Sequence, residues 1–61
     1  MIYNLAFLVD DINQTATAIK SKGAKLTSEP RTTKVEGLDT GVALAEDPNG
    51  VQIELLQRQK Q

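Results

Sequence analysis

The sequence predicts a small α+β fold in which one helix covers a mixed sheet, with elements in the order β-α-β-β-β. The chain of 61 residues opens with an apolar run of strand length. A segment with apolar residues at helical spacing follows directly. Near the end, Asp47-Pro48-Asn49-Gly50 has the residue types of a β-turn in their preferred positions. A right-handed crossover after the first strand would place the helix on one face of the sheet.

The first predicted strand, residues 2–9, has two unlike faces. Side chains alternate across a strand. One face is bulky and apolar, and we expect it to meet the helix; it carries Tyr3, Leu5, Phe7 and Val9. The opposite face is smaller and includes one amide; it carries Ile2, Asn4, Ala6 and Leu8.

The helix that follows has recognisable start and stop signals. Asp10 or Asp11 can accept hydrogen bonds from the free N–H groups of its first turn. Gly23 is suited to the left-handed residue that ends a helix. The apolar stripe between them repeats at i, i+3, i+4 and i+7 and consists of Ile12, Thr15, Ala16 and Ile19.

Three more strands are predicted in the rest of the chain. Residues 25–33 form a weaker strand, which Pro30 places at a sheet edge or in a bulge. Residues 34–40 are predicted as a loop, residues 41–46 as a short strand and residues 51–58 as the last strand, before a frayed tail. The face of the last strand directed away from the helix carries Gln52, Glu54, Leu56 and Arg58. A second copy of the chain could cover this partly apolar face.

Composition excludes several classes of protein. Seven Lys and Arg against eight Asp and Glu give a net charge of −1, so no basic surface for nucleic acid is expected. No apolar run approaches the roughly 20 residues of a membrane span, and the start does not look like a signal peptide, so we expect a cytoplasmic protein without membrane contact. The chain has no Cys and no His, which excludes thiol catalysis and His-dependent triads built from this chain alone. So small a core favours self-association.

Four segments in this order resemble one module of the vicinal oxygen chelate superfamily, which includes glyoxalases, extradiol dioxygenases and bleomycin-resistance proteins. They are NLAFLVDDI at residues 4–12, KGA at 22–24, SEPR at 28–31 and DPNGVQIEL at 47–55. The last is the most specific of the four. The resemblance implies that residues 1–61 are a single half-domain that pairs with a second module, in a homodimer or in a longer chain, to form a cupped sheet around the active site.

The resemblance also implies a set of site residues. In metal-dependent members the Glu of the I-E-L motif is a ligand, and it corresponds to Glu54. The first-strand ligand is often a His, and here Asn4 stands at that position. Because an amide oxygen suits hard cations, Mg²⁺, Mn²⁺ or Ca²⁺ is favoured over Zn²⁺ or Ni²⁺, and the site could also hold no metal. The expected substrate pocket consists of Ala6, Leu8, Gln52 and Leu56.

Several interpretations of these residues stay open. Glu54 could be a solvent-exposed residue of a two-faced strand, and without a metal it could act as a general base. Asn4 could simply contact a substrate or fill space. For the whole protein the resemblance implies a metal-dependent lyase, isomerase or dioxygenase acting on a small oxygenated molecule. The alternatives are a metal-free module that sequesters a drug, as bleomycin-resistance proteins do, and an inactive fragment of a two-module protein.

Overall fold

The computed structural model describes residues 4–58 and has the predicted order of elements. The predicted fold class is therefore confirmed. The elements are β1 (Asn4–Leu8), α1 (Ile12–Ser21), β2 (Lys25–Val35), β3 (Leu38–Glu46) and β4 (Gln52–Arg58). Ile2 and Tyr3 of the predicted first strand lie outside the described residues, as does the tail of residues 59–61.

The four strands form one mixed sheet in the order β1-β4-β3-β2. β1 runs parallel to β4, and the other two neighbouring pairs are antiparallel. β1 and β2 therefore point the same way at opposite edges, and α1 is the crossover between them. Pro30 lies in the edge strand β2, whose pairing with β3 shifts register twice, so both features predicted from this proline are present.

Local hydrogen bonds define the two ends of α1. Asp11 is the N-cap residue, and its side chain accepts a hydrogen bond from the Gln14 N–H at 3.1 Å. Gly23 follows the C-cap residue Lys22 with a φ of 103°, in the left-handed region expected for it. At ten residues, α1, the helix within residues 4–58, is too short to cross a membrane.

The core lies between α1 and one face of the sheet. It is built from Ile12, Ala16, Ala43 and Leu55, with Val9, Ile19, Leu26 and Ile53 packed around them. The prediction that the bulky face of β1 meets the helix is wrong for two residues, because Leu5 is 48% exposed and Phe7 is 47% exposed. The reason is the strand order: α1 packs over β2, β3 and β4, whereas β1 lies at the outer edge of the sheet, farther from the helix.

The loop predicted for residues 34–40 is also wrong, because most of that segment belongs to a long hairpin. β2 and β3 continue to a two-residue turn at Glu36 and Gly37, whose φ values are 53° and 80°. Positive φ at both central residues is typical of the tight turns that join twisted antiparallel strands. Lys34 and Asp39, paired across the hairpin, form an ion pair at 2.7 Å.

Candidate functional site

A groove of about 260 Å³ lies on the sheet face opposite α1. It is lined by Asn4, Leu5, Ala6, Leu44, Gln52 and Glu54. These residues come from three neighbouring strands, β1, β4 and β3. The groove lining therefore combines one carboxylate and two amides with apolar side chains.

Strand register explains why these side chains meet. Ala6 pairs with Glu54, which pairs on its other side with Leu44, so the three form one row across the sheet. Asn4 and Gln52 form the neighbouring row. From strand spacing and rise, the Cα atoms of Asn4 and Glu54 are roughly 8 Å apart, within reach of two side chains converging on one ligand. Ala6 has no atoms beyond Cβ, which leaves space beside the carboxylate.

Glu54 is solvent-exposed on this open face. The two ion pairs found within residues 4–58 join Lys20 to Glu29 and Lys34 to Asp39, and neither involves Glu54. An ionised carboxylate has about four lone-pair sites for hydrogen bonds or metal coordination. In this single module, Glu54 therefore offers free acceptor sites to a ligand that enters the groove.

The structure brings together four of the six residues singled out from the sequence: Asn4, Ala6, Gln52 and Glu54. Leu8 and Leu56 pair with each other in the next row of the same face and are not among the residues lining the groove. Leu8 is 74% exposed and lines a separate, open depression of about 510 Å³ beside α1 and the segment that connects β1 to it.

Two groove residues, Leu44 and Leu5, were missed by the sequence reasoning. Leu44 could have been found, because alternation in the strand before the Asp47 turn places it on the same face as Glu54 once β3 and β4 are paired. Leu5 points toward the opposite face by alternation. Its place at the groove follows from the uncovered edge of β1, which sequence alternation does not reveal.

The donor set of the groove limits which metal it could hold. Among the described residues, no three His, Cys, Asp or Glu side chains lie together. The groove supplies one carboxylate oxygen donor and two amide oxygens, a set that hard cations prefer over Zn²⁺ or Ni²⁺. Mg²⁺ takes about six ligands, so one module fits such a cation only as part of a site, completed by water, a substrate or a second module.

The fold and the groove together define a class: a small α+β module with a polar groove on the open face of a mixed sheet. Comparison of sequences identifies the family. The model of the Glyoxalase/Bleomycin resistance protein/Dioxygenase superfamily matches residues 1–55, and the chain belongs to that superfamily. This confirms the resemblance seen in the four sequence segments.

Similar proteins carry the name of one enzyme. The chain is 44% identical over 50 residues to a probable chloroplastic lactoylglutathione lyase of Arabidopsis thaliana, covering 82% of this chain and 14% of the relative. It is 40% identical over 57 residues to probable lactoylglutathione lyases of Vibrio cholerae and Vibrio parahaemolyticus, covering 93% of this chain and 40% of each relative. The chain thus spans less than half the length of these relatives. No solved structure gives a significant match.

Proposed function

We propose that this chain is one half-domain of a lactoylglutathione lyase-like enzyme and that Glu54 is its principal active-site residue. The observation that carries the proposal is the position of Glu54, exposed in a groove on the face that α1 leaves open. Superfamily membership allows a lyase or a dioxygenase, and the names of three relatives support the lyase. The half-domain, residues 1–61, would share its site with a second module.

The second module is supported by the lengths of the relatives. The matched 57 residues make up 40% of each Vibrio protein, so the unmatched part is longer than this module. In our proposal the partner is either that second part of a longer chain or another copy of this chain. A cytoplasmic location stays a prediction.

We assign a role to five of the groove residues and to the two leucines in the next row of the same face. Glu54 binds a divalent cation or, in its absence, accepts a proton from the substrate as general base. Asn4 adds an amide oxygen to the cation or donates a hydrogen bond to a substrate oxygen. Gln52, paired with Asn4 in the register, orients the substrate. Ala6 and Leu44 form the apolar surface on either side of the carboxylate. Leu8 and Leu56 extend this surface toward the end of the pocket.

A hard cation, Mg²⁺, Mn²⁺ or Ca²⁺, is the proposed cofactor. When bound, such an ion would polarise substrate oxygens and lower the cost of developing negative charge on them. The all-oxygen donor set supports this choice of cation. The carboxylate matters most, because one formal charge attracts a divalent ion far more strongly than neutral amides do.

A metal-free sequestering module is the second candidate function. The observation that favours it is the same donor set: one carboxylate and two amides, with no imidazole, among apolar side chains. Such a groove suits a cationic or amide-bearing drug, held by hydrogen bonds and by Glu54 without any chemistry. Its binding would be insensitive to a chelator.

Substitution of Glu54 tests the proposal directly. Protein purified without chelator is loaded with Mn²⁺, and bound metal is measured by native mass spectrometry and by elemental analysis. We expect Glu54→Gln to lose the bound metal, because the replacement keeps the shape and removes the charge. The matched control is Glu46→Gln, an exposed carboxylate in the row next to Glu54 that does not line the groove.

Equal metal content in Glu54→Gln, Glu46→Gln and the unaltered protein would contradict the metal role of Glu54. Calorimetric titration with lactoylglutathione, the compound in the relatives' names, then separates the two functions. Binding that a chelator abolishes supports the lyase. Binding of a drug-like cation that persists with chelator, and that Glu54→Gln weakens, supports the sequestering module.

A further inference from the structure

The turn between β3 and β4 places an asparagine directly before a glycine, at Asn49-Gly50. Asn49 is solvent-exposed, and a Cβ built on Gly50 would meet no atom within 4 Å, so the space around this peptide bond is open. A glycine offers the least steric hindrance when its backbone nitrogen attacks the preceding side chain. The other two asparagines, Asn4 and Asn13, are each followed by a larger side chain that hinders such an attack.

The reaction open to this pair is deamidation through a cyclic imide. The Gly50 nitrogen passes its proton to a solvent base and forms a bond to Cγ of Asn49. The bond between Cγ and Nδ2 breaks, and ammonia leaves with a proton taken from water. Water then opens the imide on one side or the other of its nitrogen, which gives aspartate or isoaspartate at position 49. The reaction consumes water and releases ammonia, and it needs no oxidant, metal or second protein.

The folded turn keeps the attacking nitrogen away from the side chain. The Gly50 N–H donates a hydrogen bond to the Asp47 carbonyl oxygen at 3.0 Å, which closes a β-turn and makes this nitrogen harder to deprotonate. Asn49, unlike Gly50, does not have a positive φ, so the turn is of type I and the ψ of Asn49 is about 0°. Ring closure requires rotation about the Cα–C bond of Asn49 until the Gly50 nitrogen lies beside Cβ. The turn must therefore open before Asn49 can react.

The Asp47 side chain holds this turn closed. Its Oδ1 accepts hydrogen bonds from the Asn49 N–H at 2.9 Å and from the Val51 N–H at 2.8 Å. The backbone N–H of Asp47 donates to the Val51 carbonyl oxygen at 3.0 Å. Rotation at Asn49 is thus resisted on both sides of the turn, and two of these bonds end on a single carboxylate oxygen.

We infer that Asn49 is a deamidation site of this chain and that Asp47 sets its rate by controlling how often the turn opens. Exposed turns open locally far more often than a whole domain unfolds. The product acts on the sheet, because isoaspartate inserts one more backbone atom between β3 and β4, beside the Glu46–Gln52 pair. Either product adds a negative charge to a chain whose net charge is −1. The inference requires neither a metal nor a second module, so it stands or falls separately from the proposed function.

Peptide mapping by mass spectrometry measures the reaction at this site. Cleavage by trypsin after Lys34 and Arg58 releases residues 35–58, in which Asn49 is the only asparagine. At mildly alkaline pH, we expect the folded chain to deamidate on the order of tenfold more slowly than the same chain unfolded in guanidinium chloride. Asp47→Ala loses both hydrogen bonds to Oδ1, so it should react on the order of tenfold faster than the unaltered folded chain.

Two matched variants separate the hydrogen bonds of Asp47 from its charge. Asp47→Asn keeps an oxygen acceptor and removes the charge, so its rate should stay close to that of the unaltered chain. Asp10→Ala removes an exposed carboxylate between β1 and α1, far along the chain from the turn, and should leave the rate unchanged. Asp47→Ala at the unaltered rate, or Asp47→Asn as fast as Asp47→Ala, would overturn the role of Asp47.

Hydrogen exchange of the Gly50 amide gives a second reading in the unaltered protein, which decides the matter if circular dichroism shows that Asp47→Ala does not fold. We expect the Gly50 amide to be protected by about the same factor as deamidation is slowed, because one opening of the turn exposes the nitrogen to both reactions. A Gly50 amide that exchanges as fast as in an unfolded chain would contradict the inference. So would the absence of deamidation at Asn49 in the unfolded chain.

Discussion

At the scale of single residues, Gln57 connects the two layers of the fold. Its side-chain Oε1 accepts a hydrogen bond from the backbone N–H of Ile12 at 2.7 Å, in a partly buried position 45 residues away in sequence. Ile12 is the first residue of α1, whose opening N–H groups have no partner inside the helix. Gln57 thus fixes the start of the helix against β4. Its bond to the Ile12 N–H adds to the cap in which Asp11 accepts from the Gln14 N–H.

We predict that Gln57→Leu destabilises the protein by about 1–3 kcal/mol, because a partly buried N–H loses its acceptor. Gln57→Glu should keep most of the stability, since a carboxylate accepts the same bond and negative charge is favoured at a helix N-terminus. Urea unfolding followed by circular dichroism measures both. If Gln57→Glu lost as much stability as Gln57→Leu, the hydrogen bond that the Gln57 side chain accepts from Ile12 would not be the cause of the loss.

At the scale of elements, the β2–β3 hairpin carries a residue unsuited to its turn. Glu36 has a φ of 53° and Gly37 a φ of 80°. Gly tolerates this region freely, and Asn does so better than Glu, which is why Asn-Gly is preferred in such turns. We predict that Glu36→Asn raises stability by about 0.5–1 kcal/mol, measured as a shift of the urea midpoint.

The matched change at the next residue should act in the opposite direction. Gly37→Ala has open space for its Cβ but keeps a positive φ, so it should destabilise by about 1 kcal/mol. If Gly37→Ala left the stability unchanged, the positive φ at this turn would not limit which residues it accepts. The gain in stability expected from Glu36→Asn would then not be expected either.

The elements also show how far the sequence could predict this molecule. Cap and turn residues act locally, so an N-cap at Asp10 or Asp11, the helix end at Gly23 and the turn at Asp47 were identified from neighbours in sequence alone; the structure selects Asp11 as the N-cap. The hairpin was missed because Lys34, Val35 and Leu38 carry a weak strand pattern around Glu36, which is atypical of a tight turn. The exposure of Phe7 was missed because alternation gives the face of a residue and not the strand's place in the sheet.

The groove shows the same difference between features set by neighbours in sequence and features set by how the elements pack. Alternation along each strand, with a helix on one side of the sheet, was enough to put Asn4, Gln52 and Glu54 on one face, which the register confirms. The contribution of Leu44 depends on which strand pairs with β4. The interaction between Gln57 and Ile12 depends on the height of the helix above the sheet. A local sequence pattern reveals neither the pairing of the strands nor the position of the helix over the sheet.

At the scale of the whole molecule, the core is too small to make the module very stable. Its buried hydrophobic residues are Ile12, Ala16, Val42, Ala43, Ala45 and Leu55, of which three are alanines. Cores of this chain length rarely contribute more than about 3–5 kcal/mol. The exposed side chains of Leu5, Phe7 and Leu8 on β1 leave much of their apolar area in water in the single module, so they add little to its stability.

If folding and pairing are coupled, the melting temperature must depend on protein concentration. A tenfold rise in concentration favours a dimer by about 1.4 kcal/mol, shared between two chains, which for a domain of this size corresponds to roughly 3–6 °C. We expect this slope for the unaltered chain and for Thr33→Lys, a control at an exposed position of the edge strand β2. We expect a flat response at lower temperature for Phe7→Lys, which replaces an exposed apolar side chain of the other edge strand, β1, by a charge. Differential scanning calorimetry over two decades of concentration measures it. A melting temperature independent of concentration in all three proteins would mean that the module folds alone, and that its exposed β1 strand is stable without a partner.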